Sequence, residues 1–338
     1  MYRSTNTVLS VGNRRACVLT ASFNKKRLIQ ITKKTQPVLY SIFRLVILLA
    51  LSYIIIYPLL YMISSSLKTS AAFQDPSVLW IPKIFTTENF KQAIEAMDFN
   101  NAMFSTLKFE MVSALIETAT CAITAYGLAR FNFPGKKLLT VMLILLIMVP
   151  SQMIIIPMTI NFSQLDFLGI LKLIGGLVGK ELRPNILDTA ACFYLPSLFS
   201  VGLRSGILIF IYHQFFHGLP KELEEAAWID GSAPPRTFIQ IALPSSSVAI
   251  ITVLVLSCVW HWNDYYLAVM YTSENFPLAV SLASLSQRLS LIGIWPGDIR
   301  NTLGVMAGCV MFVVPILIVY LFLQRKFIKS IDRVGITG

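Results

Sequence analysis

Long apolar runs separated by short polar stretches organise this chain. Six runs can be drawn, at about Leu39 to Ile63, Met103 to Ala125, Leu138 to Met158, Phe193 to Phe215, Val248 to Met270 and Leu303 to Leu323. Each is near the roughly 20 residues a helix needs to cross a hydrocarbon core. The pattern predicts an all-α membrane protein of six transmembrane helices. One polar interruption stands apart, GLPKELEEAAWIDGSAPPRTFIQIALP, residues 218–244. Pro220 fits the first position of a helix, and Glu222, Glu224 and Glu225 crowd its first turn, where the macrodipole favours negative charge. Gly231 fits its terminator. Pro234 and Pro235 can start a second helix carrying Arg236, Phe238 and Ile241, which Pro244 closes. A helix-turn-helix knob protruding from a membrane is therefore expected, its first helix about ten residues long.

Composition sharpens the solvent assignment. Of 338 residues, 55% are hydrophobic and only 13% charged, and the mean hydropathy is +0.68, so the solvent of most of the chain is lipid. The net charge of +11 is read by location rather than as a nucleic-acid footprint. Residues 1–38 carry Arg3, Arg14, Arg15, Lys25, Lys26, Arg27, Lys33 and Lys34, and no acidic residue precedes Asp75. This reads as a basic cytoplasmic tail. The acid-poor start is superficially like a transit peptide, but no amphipathic pattern follows, and the first apolar run is long enough to remain as an anchor rather than a signal peptide. With that tail inside, 18 of the 28 Lys and Arg fall in the inner segments, consistent with the positive-inside bias. Both termini are then expected in the cytoplasm, and the 218–244 knob lies on the same side. The expected division is a tail at 1–38, a six-helix membrane domain at 39–323 and a cytoplasmic tail at 324–338. Cys17, Cys121, Cys192, Cys258 and Cys309 show no paired or metal-ligand spacing and are assigned no function.

Spacing within the knob carries more information than its outline. Glu225, Ala226 and Ala227 are followed by Gly231, then by Ile241, Leu243 and Pro244. This resembles the EAA loop of permease subunits from binding-protein-dependent ABC importers, and every defined position of that pattern matches. Other stretches are similar to the carbohydrate-type, MalG-like subfamily. They are Ser65-Ser66-Leu67-Lys68, Thr86 to Phe90, Ala125 to Phe131 with Phe133-Pro134-Gly135, Met148-Val149-Pro150, Ile156-Pro157, Gln214-Phe215-Phe216, Trp262-Asn263-Asp264 and Gln324-Arg325. The resemblance runs from about residue 40 to 330. It implies a MetI-like type I importer permease in a bacterial cell membrane. It also implies a second permease subunit, two cytoplasmic ATPase subunits that bind ATP and Mg, and an extracytoplasmic solute-binding protein. The chain would carry a sugar or oligosaccharide and hold no cofactor itself. Glu224, Glu225, Ala226, Ala227, Asp230, Gly231, Ile241, Leu243 and Pro244 would then form the ATPase-coupling surface. Paired alanines allow close approach of another chain, and the acidic residues can meet its Arg or Lys. The alternative for this helix is that it lies on its own bundle. The stretch 172–192 and the basic tail depart from the family in length, and Lys108, Glu110 and Glu117 in the second run depart from it in charge.

Ionisable residues at bilayer depth are expensive and are functional candidates by default. Glu110 and Glu117 are seven apart and share a helix face. Counting 1.5 Å per residue, Glu117 lies roughly 21 Å and Arg204 roughly 15 Å deep, so Arg204 is expected to pair with Glu117 or Glu110. Such a pair either is structural or lines the substrate path. Trp260 to Tyr266 forms an aromatic and amide cluster; Trp262, Asn263 and Asp264 either stack and hydrogen-bond a sugar or bind neighbouring helices. His261, lacking ligand spacing, is expected as a packed polar residue rather than a metal ligand. No catalytic motif is found. Gly175-Gly176-Leu177-Val178-Gly179-Lys180-Glu181 misses a phosphate loop by one glycine register and by Glu181 where Ser or Thr is required, so the chain is not expected to bind ATP. A secondary transporter or channel using Glu110, Glu117, Arg204 and Asp264 as an ion relay is the rival reading. A membrane-embedded enzyme lacks a convergent nucleophile, base and metal set.

Overall fold

A computed structural model describes residues 40–166, 169–178 and 183–334. The basic tail at 1–38, the Gly179-Lys180-Glu181 part of the near-miss phosphate loop and the last four residues lie outside the described residues. The described chain is helical throughout and contains no strand. Among the described residues, three helices are long and apolar enough to cross a membrane unbroken: α1 (Tyr40–Ser66), α2 (Phe99–Arg130) and the Ile299–Phe322 part of the last helix.

The other three expected crossings are interrupted. The third is α3 (Lys136–Met148) followed by α4 (Ser151–Ser163), with Val149 and Pro150 between them. Val149 is extended, as the residue before a proline tends to be. In place of a continuous fourth run there are α5 (Ala191–Leu198) and α6 (Ser205–Gly218). Between them Ser200 and Arg204 adopt left-handed backbone at φ 57° and 59°. With Ser200 left-handed, Ser200 N donates to Ser197 O at 3.2 Å and Val201 N to Pro196 O at 2.9 Å, the bond pair that closes a helix C-terminus.

The knob comprises α7 (Glu222–Ile229) and α8 (Pro234–Ser245). It turns through 81° into α9 (Ser247–Trp262), which stops at Asn263 before a short helix Tyr266–Tyr271. The last helix, α10 (Ile299–Val334), continues beyond the expected end of the sixth crossing.

The described residues of 40–61 and of 62–334 form separate compact units. In the first, Tyr40, Leu49, Ile55 and most other apolar side chains of α1 are exposed, as expected for a helix whose solvent is lipid. In the second, α2 is the central helix, packed most extensively on α6 and then on α9 and α5. The α2, α6 and α9 faces meet in a core of Cys121, Ala125, Leu208, Tyr212, Phe216 and Val253. Polar side chains on α2 bridge to neighbouring backbone. Thr120 Oγ1 donates to Ser197 O at 2.7 Å, and Ser257 Oγ of α9 donates to Ala114 O at 3.2 Å. Such bonds join helices where lipid gives no hydrophobic drive to association. The segment after α1 is tied down by Lys68, buried, whose Nζ donates to Val78 O and Leu79 O at 3.0 and 2.8 Å.

Candidate functional site

Two groups of the expected residues are held in place by different parts of α2. At its Arg130 end lies the knob. Helix α7 begins at Glu222, two residues later than Pro220 would start it, and keeps Glu222, Glu224 and Glu225 in its first turn. It ends in a Schellman turn. Gly231 N donates to Trp228 O at 3.0 Å and Ser232 N to Ala227 O at 2.9 Å, with Gly231 at φ +81°, a conformation glycine adopts without a Cβ penalty.

Two faces follow from this geometry. Glu224 and Ala227 are buried, and Ala226, Glu225, Asp230 and Gly231 are exposed beside Leu223, Trp228 and Ile229, the last 86% exposed. Ile241 and Leu243 are half-buried and Pro244 is exposed. Helix α8 widens to π geometry over Phe238–Ala242, and Pro244 sits within its last turn.

The second group lies deeper along α2 and differs from expectation. Glu110 and Glu117 are 1% and 0% exposed, and both turn toward His261 of α9. His261 Nδ1 lies 3.0 Å from Glu110 Oε2, and Nε2 lies 2.8 Å from Glu117 Oε2. An imidazole protonated on both nitrogens donates to both carboxylates. Glu110 stands in a π-helical turn, Thr106–Met111. Such turns insert a residue into an α-helix and recur at functional sites.

Arg204 does not join either carboxylate. Its guanidinium lies 5.0 Å from the centre of the Trp260 ring, and its left-handed backbone caps α6. A cation–π attraction holds the exposed Arg204 against Trp260, while the shorter imidazole, fixed on α9, reaches both glutamates. His261 is buried and packed as expected, but it is the bridge of the cluster. The signal available in the sequence was a lone histidine in the fifth apolar run of a chain whose second run carries two acids. Gly202, in the break between α5 and α6, lies against Glu117: a Cβ there would stand 2.8 Å from Glu117 Oε1 and 3.1 Å from Ser197 Oγ.

The remaining residues of this group divide. Trp262 is buried, donates its indole N–H to Phe312 O of α10 at 3.1 Å and packs on the Phe312 ring, so it holds α9 to α10. Asn263 is exposed and turns back to donate to Val259 O at 2.7 Å. Asp264 is buried and accepts from Leu267 N at 3.2 Å, capping the Tyr266–Tyr271 helix. Glu110, Arg204, His261 and Asp264 nevertheless line one cavity of about 90 Å³. Arg204, Asn263 and Asp264 line a second of about 170 Å³ with Trp260 and Tyr266. Glu117 and Trp262 line neither. Among the described residues no group of three or more His, Cys, Asp and Glu is arranged to hold a metal ion.

Sequence reasoning also missed the pair that anchors the knob. Arg130 Nε at the end of α2 lies 3.1 Å from Glu224 Oε1, with the two side chains 4% and 5% exposed, and Arg130 Nη2 donates to Leu219 O at 2.9 Å.

Comparison with known proteins covers most of the chain. The trehalose transport system permease protein SugB of Mycobacterium tuberculosis (strain CDC 1551 / Oshkosh) is 25% identical over 284 residues, 83% of this chain and 92% of SugB. The arabinooligosaccharides transport system permease protein AraQ of Halalkalibacterium halodurans is 25% identical over 297 residues, covering 85% and 93% of the two chains. Protein LplC of Bacillus subtilis (strain 168) is 30% identical over 284 residues, covering 82% and 88%. The fold is similar to a chain in the crystal structure of a bacterial ABC transporter involved in the import of the acidic polysaccharide alginate. The TM-score is 0.66 at 18% identity, over 86% of this chain and 96% of that one. Residues 118–333 match the family model for the inner membrane component of binding-protein-dependent transport systems, and the chain belongs to that family.

Proposed function

We propose that this chain is the transmembrane subunit through which a binding-protein-dependent ABC importer passes a sugar or oligosaccharide, driven by ATP hydrolysis in partner chains. The observation that carries the reading is the two-faced geometry of α7. Its Glu224 and Ala227 side is fixed to the bundle, while Ala226, Trp228 and Ile229 face outward. An uncovered apolar edge of this kind, on a rigid short helix with a small residue at its centre, suits a cleft in another protein. Glu225, Asp230 and Gly231 flank that edge. Ile241, Leu243 and Pro244 shape the return into α9.

The ATPase subunits would sit at this loop and hold ATP and Mg; the permease would carry no nucleotide site and no cofactor. Both termini and the loop would face the cytoplasm of a bacterial cell, with the basic segment at 1–38 as an inner tail and the membrane domain at 39–323. A second permease would complete the pathway, and an extracytoplasmic binding protein would deliver the substrate. The carbohydrate assignment draws support from relatives whose names concern trehalose and arabinooligosaccharides. It also draws on the cavity that joins Arg204, Asn263 and Asp264 to Trp260 and Tyr266, since aromatic faces and amide or carboxylate groups are what a sugar needs.

The experiment is uptake of labelled oligosaccharide into vesicles, paired with capture of the solubilised complex, for the wild type and for A226R, which changes the outward face alone. ATP-dependent uptake in the wild type, with both the ATPase subunit and uptake lost in the variant, is the expected result. Uptake that follows the proton gradient and survives in the variant would refute the importer reading in favour of an ion-coupled carrier.

A further inference from the structure

The buried contact between Arg130 and Glu224 has a chemistry that simple support of α7 does not require. A short helix could rest on the bundle through apolar contacts alone. Here a guanidinium and a carboxylate are both taken out of solvent, each 5% exposed or less, and a buried pair of that kind gives little net stability over well-packed apolar groups. What it supplies is direction. Arg130 Nη2 donates to Leu219 O, just before α7, while Nε lies against Glu224 Oε1, inside the first turn of that helix, as an ion-pair contact without hydrogen-bond alignment. A lysine, a single point charge on a flexible stem, cannot keep one rigid plane against both the Glu224 carboxylate and Leu219 O.

The grip continues on the next helix of the knob. One turn before Arg130, the Tyr126 ring lies 4.8 Å from Phe238 of α8 and 5.4 Å from Phe216 at the end of α6. The Arg130 end of α2 therefore touches the segment entering α7, the first turn of α7 and the first half of α8. From there α2 runs as an unbroken helix with no proline back to Glu117. That is a distance of about 20 Å at 1.5 Å per residue, and Glu117 is the residue bonded to His261 of α9.

Resting on the reading of α7 as the coupling helix, we infer that Arg130 is a positioning residue of the coupling step. It locks α7 to α2 through Glu224 and Leu219 O. A displacement of α7 is then passed to α2, and by α2 to the Glu117–His261 contact, as a rigid-body movement rather than being absorbed in the loop. Coupling of this sort needs an element with two arrangements that both ends bias, and α2 is the helix that reaches both ends.

The test uses the full complex reconstituted in vesicles with its binding protein, comparing wild type, R130K, E224Q and the double variant. R130K keeps the charge and loses the rigid plane; E224Q keeps the shape and loses the charge. Three quantities are read: retention of the ATPase subunit, ATP hydrolysis, and substrate taken up per ATP hydrolysed. The expected result is that both single variants retain the ATPase subunit and still hydrolyse ATP, while uptake per ATP falls tenfold or more. The double variant should be no worse than the worse single one, as for two residues acting through one contact. Three results would overturn the inference: unchanged uptake per ATP in both single variants, multiplicative losses in the double, or loss of the ATPase subunit in step with uptake. The last would make the pair merely structural. Wild-type vesicles without ATP-dependent uptake would instead sink the importer reading itself, so the two failures are distinguishable.

Discussion

Replacing His261 by leucine tests whether the Glu110–His261–Glu117 cluster is an ionic assembly or only two ordinary hydrogen bonds between helices. The substitution removes contacts of 3.0 and 2.8 Å and leaves two carboxylates, 1% and 0% exposed, facing an apolar side chain. Neutral interhelical hydrogen bonds in membranes are worth about 0.6 kcal/mol each on average, so the ordinary reading predicts a loss of roughly 1 kcal/mol. Removing the partner of a buried ion pair costs about 3–5 kcal/mol, because the surviving charge has nowhere to go. The ionic reading therefore predicts at least about 3 kcal/mol for H261L. It makes a second, sharper statement. Replacing all three residues by leucine removes every stranded charge and should recover most of that loss, since apolar substitutes of similar size are often neutral or stabilising. The assay is denaturant unfolding of the detergent-solubilised protein, following helicity. A loss near 1 kcal/mol for H261L, or a triple variant less stable than the single one, would refute the ionic account.

Further expectations follow from close approach and from the loops. Gly202 is required for space, and G202A should drive Glu117 off His261 and cost about 1–3 kcal/mol, the usual range for overpacking. Because the damage runs through Glu117, the effect should shrink in an E117A background, and equal losses in the two backgrounds would count against it. In the segment before α5, partial burial pushes the Asp188 carboxyl up. Hydrogen bonds from the Ser273 side chain and the Ser273 and Glu274 backbone outweigh it and hold the group below its ordinary value. A depressed carboxyl adds stability that is present above its unfolded value, near 4, and is lost as pH falls through the folded value. D188N should thus be less stable than wild type at pH 7, with the gap closing below about pH 4, as a series of melting curves would reveal.

Much of the knob could be read from the chain. The acidic first turn, Gly231 and the paired prolines gave its two helices within two residues, because capping and φ preferences act over a few residues and need no distant partner. The apolar runs likewise gave the helical membrane class. They did not reveal that the third, fourth and fifth crossings are interrupted, although Pro150 and the Asn263-Asp264 pair are visible as breaker signals. Hydropathy averages over about 19 residues, whereas a proline or an inward-turned amide acts on one turn.

Pairing was the part that local rules could not decide. Depth along each helix placed Arg204 and Glu117 within reach of each other, but it contained no information on how α6 and α9 are rotated about their axes. That rotation is fixed by packing: Gly202 lets the α5–α6 break close onto Glu117, Ser257 ties α9 to Ala114, and the indole of Trp260 takes the guanidinium of Arg204. His261 is left as the side chain that faces both acids. The same holds for Arg130 and Glu224, 94 positions apart. The helical membrane class, the spacing of the loop and the turn at Gly231 are written locally, because each depends on neighbours within a few residues. Which buried charges meet is set by packing, because it depends on the relative rotation of helices far apart in the chain.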